Sequence, residues 1–252
     1  MIEIAKATRD ELQTIHDMAQ VVFRHTYRDI LSPEQMEYMM DMMYSLPNLR
    51  AQLDEGHHYY IAYMSPDQET NTHQERRAHQ ESNTHQERSV RQENSTFRGD
   101  GESCRCNDVA SSDDSASAVC EARASVLPVP CGYVSVQHEG PDQDGTEIFH
   151  LHKIYVMPGA QGRGVGMRLF QTVVQHVKSV LQARSADDGA SAIINPELAA
   201  AQSAKARIEL NVNKFNSAVN FYKHLGMRIL LEEDFPIGNG FYKTDYIMGL
   251  DI

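Results

Sequence analysis

The sequence has few cysteines, no long apolar run and fewer basic than acidic residues. Its 252 residues include four cysteines, 35 Asp plus Glu and 23 Lys plus Arg, which give a formal net charge of -12. Proteins that bind nucleic acid or anionic membranes need clustered Lys and Arg, so we expect neither partner. The sequence has no stretch of about 18 apolar residues, and residues 1–6 lack the apolar core of a signal peptide. We therefore expect a cytoplasmic protein.

The cysteines do not have the spacing of a metal site or a disulfide framework. Cys104, Cys106, Cys120 and Cys131 include one C-x-C pair, but not the paired C-x-x-C spacing of a structural zinc site. Disulfide frameworks are typical of small secreted domains, not of a chain of this size. We expect no bound metal and no disulfides.

A polar segment at 65–126 interrupts the apolar pattern. It is dominated by Gln, Glu, Asn, Ser, Thr, His, Arg and Asp, and the twelve residues from Gln68 to His79 are nearly repeated from Gln80 to Arg91. Such a composition buries too little apolar surface to offset the entropy lost on folding. A polar repeat without an apolar stripe also does not stack as a solenoid. We predict a disordered insert, with a partner-binding or metal-binding tail as the alternative.

The rest of the chain predicts one α/β domain over 1–252, interrupted by this insert. A second segment, 184–206, is rich in Ala, Ser, Asp and Gly and predicts a long connection. Strand and helix patterns alternate elsewhere. Thr8 with Glu11, and Ser32 before Pro33, have the spacing of helix N-termini.

A glycine loop lies between a predicted strand and a predicted amphipathic helix. The strand Ile148–Val156 is followed by Gln161-Gly162-Arg163-Gly164-Val165-Gly166. Glycines let the main chain approach an anion, and the unpaired amides at a helix start can donate to it. The spacing matches neither a Walker loop nor G-x-G-x-x-G. The loop predicts a phosphate-binding site, with a simple helix-start turn as the alternative.

Two motifs in this order resemble those of the GNAT N-acetyltransferases. Val156-x-Pro158 with residues 161–166 resembles the acetyl-CoA signature of that family, and residues 208–212 with 218–227 are similar to its fifth strand and following helix. The opening helices and the end of the chain resemble the subgroup related to polyamine acetyltransferases. The resemblance implies an α/β (α+β) fold with a mixed, strongly bent sheet flanked by helices. It also implies a splay between strands 4 and 5 that admits the pantetheine arm.

The resemblance further implies acetyl-CoA as co-substrate. Loop amides would hold the pyrophosphate, while main-chain groups of the fourth strand would pair with pantetheine. The interval from Asn216 to Tyr222 is one residue shorter than is usual in the family, so either Asn213 or Asn216 is the customary contact. The implied cofactor-binding residues are Ile154, Tyr155, Val156, Gln161, Gly162, Arg163, Gly164, Val165, Gly166, Asn213, Asn216 and Tyr222.

Acetyl transfer to an amine needs a neutral nucleophile and a protonated leaving thiol. The resemblance assigns the second task to Tyr222, with packing beneath the cofactor as the alternative. His152 lies on the predicted fourth strand where relatives often carry a glutamate, and an ordinary histidine pKa near 6.5 suits a base. His150, on the same strand face by alternation, and Glu209 are the alternative bases.

The sequence therefore predicts an N-acetyltransferase that moves an acetyl group from acetyl-CoA to a primary amine of a small molecule by direct attack in a ternary complex. The acidic charge and the subgroup similarity favour a polyamine-like acceptor, in a pocket walled by Phe23, Tyr27 and the 234–242 connection. The alternatives are a protein or peptide N-acetyltransferase, a non-catalytic acyl-CoA-binding regulator, and an interaction protein that works through the polar repeat. We expect a monomer or a homodimer.

Overall fold

The computed structural model describes residues 1–65, 127–188 and 205–252. Contacts between Cα atoms divide the chain into two units, residues 2–64 with 128–252, and residue 1 with 65–127. The second unit lies almost wholly outside the described residues, as do the predicted disordered insert and most of the predicted 184–206 connection. All helices and strands of the described residues belong to the larger unit.

The described residues of this unit form five α-helices and seven strands. The helices are α1 (Leu12–Tyr27), α2 (Pro33–Tyr44), α3 (Leu46–Asp54), α4 (Val165–Asp188) and α5 (Ala218–His224). The strands are β1 (Ile2–Lys6), β2 (His58–Met64), β3 (Val129–Pro141), β4 (Glu147–Val156), β5 (Ala206–Asn213), β6 (Arg228–Gly238) and β7 (Phe241–Asp251). Short 3-10 helices cover Arg9–Glu11 and Pro158–Ala160. Helix α4 thus extends a few residues into the predicted connection.

The predicted helix start at Ser32 is confirmed, whereas Thr8 caps the 3-10 helix Arg9–Glu11 that precedes α1. The main-chain amide of Thr8 donates to Glu11 Oε2 at 2.7 Å, which completes the capping box. At the start of α2, Ser32 Oγ accepts from the Gln35 amide at 3.2 Å, and Pro33 occupies the first helical position. Local sequence therefore sets where these helices begin.

All seven strands form one mixed sheet in the order β1-β2-β3-β4-β5-β7-β6. Neighbouring strands are antiparallel, apart from the parallel pair β4 and β5. Helices pack on both faces of the sheet, which confirms the predicted α+β fold class. None of the described helices combines the length and the apolarity needed to cross a membrane.

Each face of the sheet has its own apolar core. Helix α4 covers one face, where the buried side chains include Phe149, Leu151, Leu169, Val173 and Val177. Helices α1 to α3 cover the other, where the buried side chains include Phe23, Tyr44, Leu49, Tyr59 and Tyr133. Burying each such side chain contributes roughly 1.5–3 kcal/mol, so the two cores hold the helices against the sheet.

The parallel strands β4 and β5 separate partway along their length. Their pairing runs from Glu147 opposite Ala206 to His150 opposite Glu209. Beyond that point, β4 continues to Val156 and β5 to Asn213. The main-chain groups of β4 past His150 therefore face a wedge between the two strands, as the family resemblance implied.

Candidate active site

The wedge between β4 and β5 opens into a cleft of about 480 Å³. We call it the cofactor cleft. It is bordered by the end of β4, the glycine loop, the start of α4, β5 and α5. Ten of the predicted cofactor-binding residues line it, namely Ile154, Tyr155, Val156, Gln161, Gly162, Gly164, Val165, Gly166, Asn216 and Tyr222.

The glycine loop gives this cleft an anion site at the start of α4. Gly162 and Gly164 have φ angles of +73° and +81°, which side-chain-bearing residues rarely adopt. Gln161 Nε2 donates to the Val156 carbonyl at 3.1 Å and so ties the loop to β4. The first amides of α4 lack helical partners, and the helix dipole favours an anion there. The loop is therefore suited to hold the pyrophosphate of acetyl-CoA.

Close packing behind the loop explains its third glycine. A Cβ at Gly166 would lie 3.3 Å from Phe221 Cζ and 3.7 Å from Val156 Cγ2. Phe221 belongs to α5, on the opposite wall of the cleft. A glycine at position 166 thus lets α4 and α5 approach each other across the wedge.

Two predicted cofactor-binding residues lie elsewhere. Arg163 directs Nη1 toward Met64 Sδ, at 2.9 Å. Asn213 lines a neighbouring cavity, and its Oδ1 accepts from the Phe215 amide at 3.0 Å. Asn216, which lines the cleft, accepts from the Ala218 amide at 2.9 Å. Of the two asparagines left open by the sequence, Asn216 is the one at the cofactor cleft.

Tyr222 projects from α5 into the same cleft and is only 6% exposed. Burial raises its pKa, and the nearby Tyr27 adds to this effect. The phenol therefore keeps its proton at neutral pH and can donate it. This is the protonation state that a general acid requires.

A second cavity, of about 420 Å³, adjoins the cofactor cleft. The two share Tyr27, His152, Lys153, Tyr155 and Asn211 as lining residues. Phe23 lines the second cavity, as does Ile237 from the 234–242 segment. Residues of the predicted substrate pocket therefore line the cavity next to the cofactor cleft.

A β-bulge in β4 turns two consecutive side chains toward this second cavity. Ser135 lies opposite Lys153 and Val136 opposite Leu151, which leaves His152 as the extra residue. His152 and Lys153 both line the cavity. Strict alternation would have placed Lys153 on the same face as Leu151, toward α4. The bulge therefore supplies a lysine that alternation alone would exclude.

Three histidines form a row along the second cavity. The ring of His152 lies 4.3 Å from that of His57 and 4.5 Å from that of His150, centroid to centroid. Burial is the main cause that lowers their pKa values, to about 2 for His152 and about 4 for each of the others. All three are therefore neutral at physiological pH. The ordinary value near 6.5 expected for His152 from the sequence does not hold.

The orientation of His152 follows from one hydrogen bond. Its Nε2 lies 3.0 Å from Gln137 Oε1, and an amide oxygen can only accept. Nε2 therefore carries the proton, and Nδ1 keeps an open lone pair. Glu209, an alternative base, forms an ion pair with Arg207 Nη1 at 3.3 Å. Among the described residues, no group of His, Cys, Asp and Glu side chains is arranged to hold a metal.

Lys153 was not identified from the sequence. It is 4% exposed, and its Nζ donates to Gln52 Oε1 at 2.7 Å. Burial, together with a smaller effect of the charge of Lys243, lowers its pKa from 10.5 to about 7. A lysine in the middle of a largely apolar strand that also carries His150 and His152 was the one signal that could have pointed to it. Buried lysines of this kind are found mainly at functional sites.

The charges around the second cavity are not predominantly acidic. Its charged lining residues are Lys153, Lys243 and Asp245. Lys243 Nζ lies 3.3 Å from Asp245 Oδ2. The acidic bias of the whole chain therefore does not extend to this cavity, contrary to what a polyamine-like acceptor would require.

Comparison with known proteins finds similarity to acetyltransferases over part of the chain. Residues 114–228 match a family model described as an acetyltransferase (GNAT) domain. No curated protein matches the sequence. Among solved structures, a GCN5-related N-acetyltransferase from Rhodopseudomonas palustris is similar with a TM-score of 0.51 and 15% identity, over 99% of this chain and 95% of the other. This likeness supports the fold.

Two further solved structures are similar with TM-scores below 0.5. PaiA N-acetyltransferase from Thermoplasma acidophilum, in complex with coenzyme A, has a TM-score of 0.47 and 16% identity, over 99% of this chain and 98% of the other. NAA60 from Arabidopsis thaliana, in complex with acetyl-CoA, has a TM-score of 0.49 and 12% identity, over 100% and 99%. Over residues 114–228 and in its fold, the chain is therefore similar to GNAT acetyltransferases.

Proposed function

We propose that the protein acetylates a primary amine of a small molecule held in the second cavity, by direct attack in a ternary complex. The observation that carries this proposal is the junction of the two cavities at Tyr27, His152 and Tyr155. In this proposal acetyl-CoA supplies the thioester, and its pantetheine arm lies in the cofactor cleft. A volume of about 420 Å³ suits a small molecule. An amine in the second cavity would therefore meet the acetyl group at the junction of the two cavities.

The second cavity favours the neutral form of an amine. Lys153 is itself a primary amine in this environment, and its pKa is lowered to about 7. An acceptor amine would experience the same burial and the same positive charge of Lys243. Its pKa would fall for the same reason, which leaves a substantial neutral fraction at physiological pH. A strong base is then not needed to create the nucleophile.

His152 is the proposed proton acceptor during attack. Its Nδ1 lone pair is open because Nε2 donates to Gln137. With a pKa of about 2 it is neutral over the whole physiological range, so it is always able to accept a hydrogen bond from the amine. The same low value means that it cannot keep a proton. The proton would pass to water or along the row formed with His57 and His150.

Tyr222 is the proposed general acid. It lines the cofactor cleft on the wall opposite β4, and burial keeps its phenol protonated. Donation of this proton to the leaving sulfur would complete the transfer. A purely structural tyrosine would need only its ring at this position. Tyr222→Phe separates the two roles, because it retains the ring and removes the proton.

Thiol release from acetyl-CoA tests the proposal. The acceptor panel contains alkylamines, diamines, amino acids and peptides, and the enzymes are wild type, Tyr222→Phe and His152→Gln. Release that depends on a small amine and falls about 10²- to 10⁴-fold in Tyr222→Phe supports the proposal. Release with peptides alone would contradict a small-molecule acceptor. Acetyl-CoA binding without release on any acceptor would instead indicate an acyl-CoA-binding regulator.

The polyamine-like acceptor favoured by the sequence has one argument for it and one against it. The net charge of the chain is -12, which attracts cations in general. The charged residues that line the second cavity are two lysines and one aspartate. Local charges act more strongly than distant, solvent-screened ones, so a second ammonium in the acceptor is disfavoured.

A further inference from the structure

Lys153 is a buried amine whose protonated form has no counterion among the described residues. No described carboxylate lies within 4 Å of its Nζ, whereas Lys243 is paired with Asp245. The partners of Nζ are a neutral amide oxygen, Gln52 Oε1, and two aromatic rings. The centroids of the Tyr44 and Tyr59 rings lie 5.7 Å and 5.6 Å from it. These contacts orient the ammonium without neutralising it.

The Gln52 side chain is uncharged and is held in place by further hydrogen bonds. Its Oε1 accepts from the Tyr59 hydroxyl as well as from Lys153. Its Nε2 donates to the Met43 carbonyl at 3.2 Å. An ammonium has three donors, and Gln52 takes one of them. Among the described residues, no second hydrogen-bond acceptor of Nζ is found, so a molecule in the cavity can take the other donors.

Buried charges in proteins are normally paired, because the cost of removing them from water is otherwise not recovered. In an enzyme, the missing partner of a charge that lines a substrate cavity can be the substrate itself. We propose that Lys153 binds an anionic oxygen group of the acceptor, so that the substrate is a small amine that also carries a carboxylate or a similar anion. This inference rests on the proposed function, since it concerns the acceptor of the same reaction.

The second cavity has suitable surfaces for both ends of such a molecule. Lys153 borders both cavities, but its Nζ lies beside Gln52 of α3, which lines the second cavity alone. Tyr27 and Asn211 lie at the junction with the cofactor cleft. The wall of the cavity is largely apolar, with Leu31, Met39, Met42, Met43 and Ile237. A short hydrocarbon chain along this wall would join an anion at Lys153 to an amine at the junction.

The other titratable groups around the cavity do not supply the missing anion. The titratable and charged residues that line it or face Lys153 are His57, His150, His152, Lys243, Asp245, Tyr27, Tyr44, Tyr59 and Tyr155. The histidines are neutral because their pKa values are lowered, and the pKa values of the tyrosines are raised. Asp245 is engaged by Lys243. An anion bound at Lys153 would therefore meet a net positive surrounding.

Three amines that share a four-carbon chain, and one phosphonate, test the inference. Butylamine, 4-aminobutyrate and 1,4-diaminobutane present a methyl group, an anion and a cation at the end opposite the reacting amine, and 3-aminopropylphosphonate distinguishes a phosphonate from a carboxylate. For the wild type, we expect kcat/KM for an anionic acceptor to exceed that for butylamine by about 10- to 100-fold, as for a charge-assisted hydrogen bond. The diamine should be the poorest acceptor.

Lys153→Met should remove this preference. Methionine fills a similar volume without charge, and replacing a buried charge by an apolar residue is often tolerated. We expect the ratio of kcat/KM for 4-aminobutyrate to that for butylamine to fall to near one, mainly through KM. Lys178→Met, the same change on the exposed side of α4, should keep the wild-type ratio.

Proton uptake gives a readout that a merely structural lysine would not change. At pH 8, Lys153 is mostly neutral, and binding of an anion should raise its pKa. Calorimetry with butyrate in buffers of different ionisation enthalpy should show uptake of close to one proton in the wild type and none in Lys153→Met. Equal use of butylamine and 4-aminobutyrate by the wild type, or a preference for the diamine, would overturn the inference and leave the proposed function intact. Failure of every amine would count against the proposed function itself.

Discussion

His152 and Lys153 are adjacent in sequence and line the same cavity, because the β-bulge in β4 places both on one side of the sheet. The bulge lies just beyond His150, the last residue of β4 that pairs with β5. From this point on, alternate side chains of β4 point to the opposite face of the sheet, and this is also where the wedge begins. One local irregularity thus provides both the proposed proton acceptor and the proposed anion site.

Replacement of His152 should lower the rate without removing an ionisation from the pH profile. Its pKa of about 2 means that it stays neutral between pH 5 and 9. We expect His152→Gln to reduce kcat, while kcat/KM rises with pH over the same range as in the wild type, as the amine loses its proton. The measurement is kcat/KM from pH 5 to 9 for both enzymes. A limb near pH 6.5 that is present only in the wild type would show that His152 titrates normally.

The buried histidines should make the protein less stable in mild acid. The folded pKa values of His57 and His150 are about 4, below the ordinary value of 6.5 in the unfolded chain. Between these values the unfolded state binds more protons, so the free energy of unfolding falls as the pH falls from about 6.5 toward 4. Each histidine contributes at most about 1.4 kcal/mol per pH unit in this window.

Thermal unfolding between pH 4.5 and 7.5 checks this pH dependence. Carboxylates also titrate in acid, so the wild type is compared with His150→Gln and with the exposed variant His25→Gln. The loss of Tm on acidification should be smaller in His150→Gln and unchanged in His25→Gln. An equal loss in all three proteins would contradict the lowered pKa of His150.

Gly164→Ala should damage the cofactor cleft. The φ angle of Gly164 is +81°, and a side chain there costs roughly 1–2 kcal/mol of stability. Relief of this strain would move the loop amides, so we expect the KM for acetyl-CoA to rise at least about tenfold, as for a lost charge-assisted hydrogen bond. Gly159→Ala is the matched control, since its φ is not positive and a Cβ there would meet no atom within 4 Å. Similar effects of both variants would argue against a conformational role of Gly164.

The two asparagines near the end of β5 should affect different substrates. Each accepts a hydrogen bond from the amide two residues ahead, so each alanine variant loses a comparable local contact, of about 1 kcal/mol. Asn216 lines the cofactor cleft and Asn213 the second cavity. We expect Asn216→Ala to raise the KM for acetyl-CoA and Asn213→Ala to raise the KM for the amine. Steady-state kinetics with each substrate varied in turn would reveal the reverse pattern if the assignment is wrong.

Residues whose role depends on local sequence could be predicted well. The glycine loop has positive φ angles where glycines permit them, and it leads into α4 as its amphipathic pattern predicts. Tyr222 lies in the cofactor cleft because α5 follows β5 after a short connection. The two motifs lie on neighbouring strands that are parallel at their start, so their order along the chain already indicates a shared cleft.

The charges of the second cavity could not be predicted in the same way. Net charge favours a cationic acceptor, yet two of the three charged lining residues are lysines. His57 belongs to no recognisable sequence motif. Its ring contacts that of His152 only because β2 and β4 flank β3 in the sheet. Composition is an average over the whole surface, whereas a cavity collects residues that are far apart in sequence.

The sequence by itself determined the alternation of helices and strands and the glycine loop, because these follow from periodicity and glycine positions over short stretches. The family resemblance of its motifs made Tyr222 a candidate acid. Only the tertiary structure decided which asparagine lies at the cofactor cleft, how strongly the histidines are desolvated and that Lys153 lines the second cavity. The physical reason is that the pKa values depend on burial, and that a β-bulge decides to which face of the sheet Lys153 points. Both arise from contacts between strands and helices that are distant in the chain.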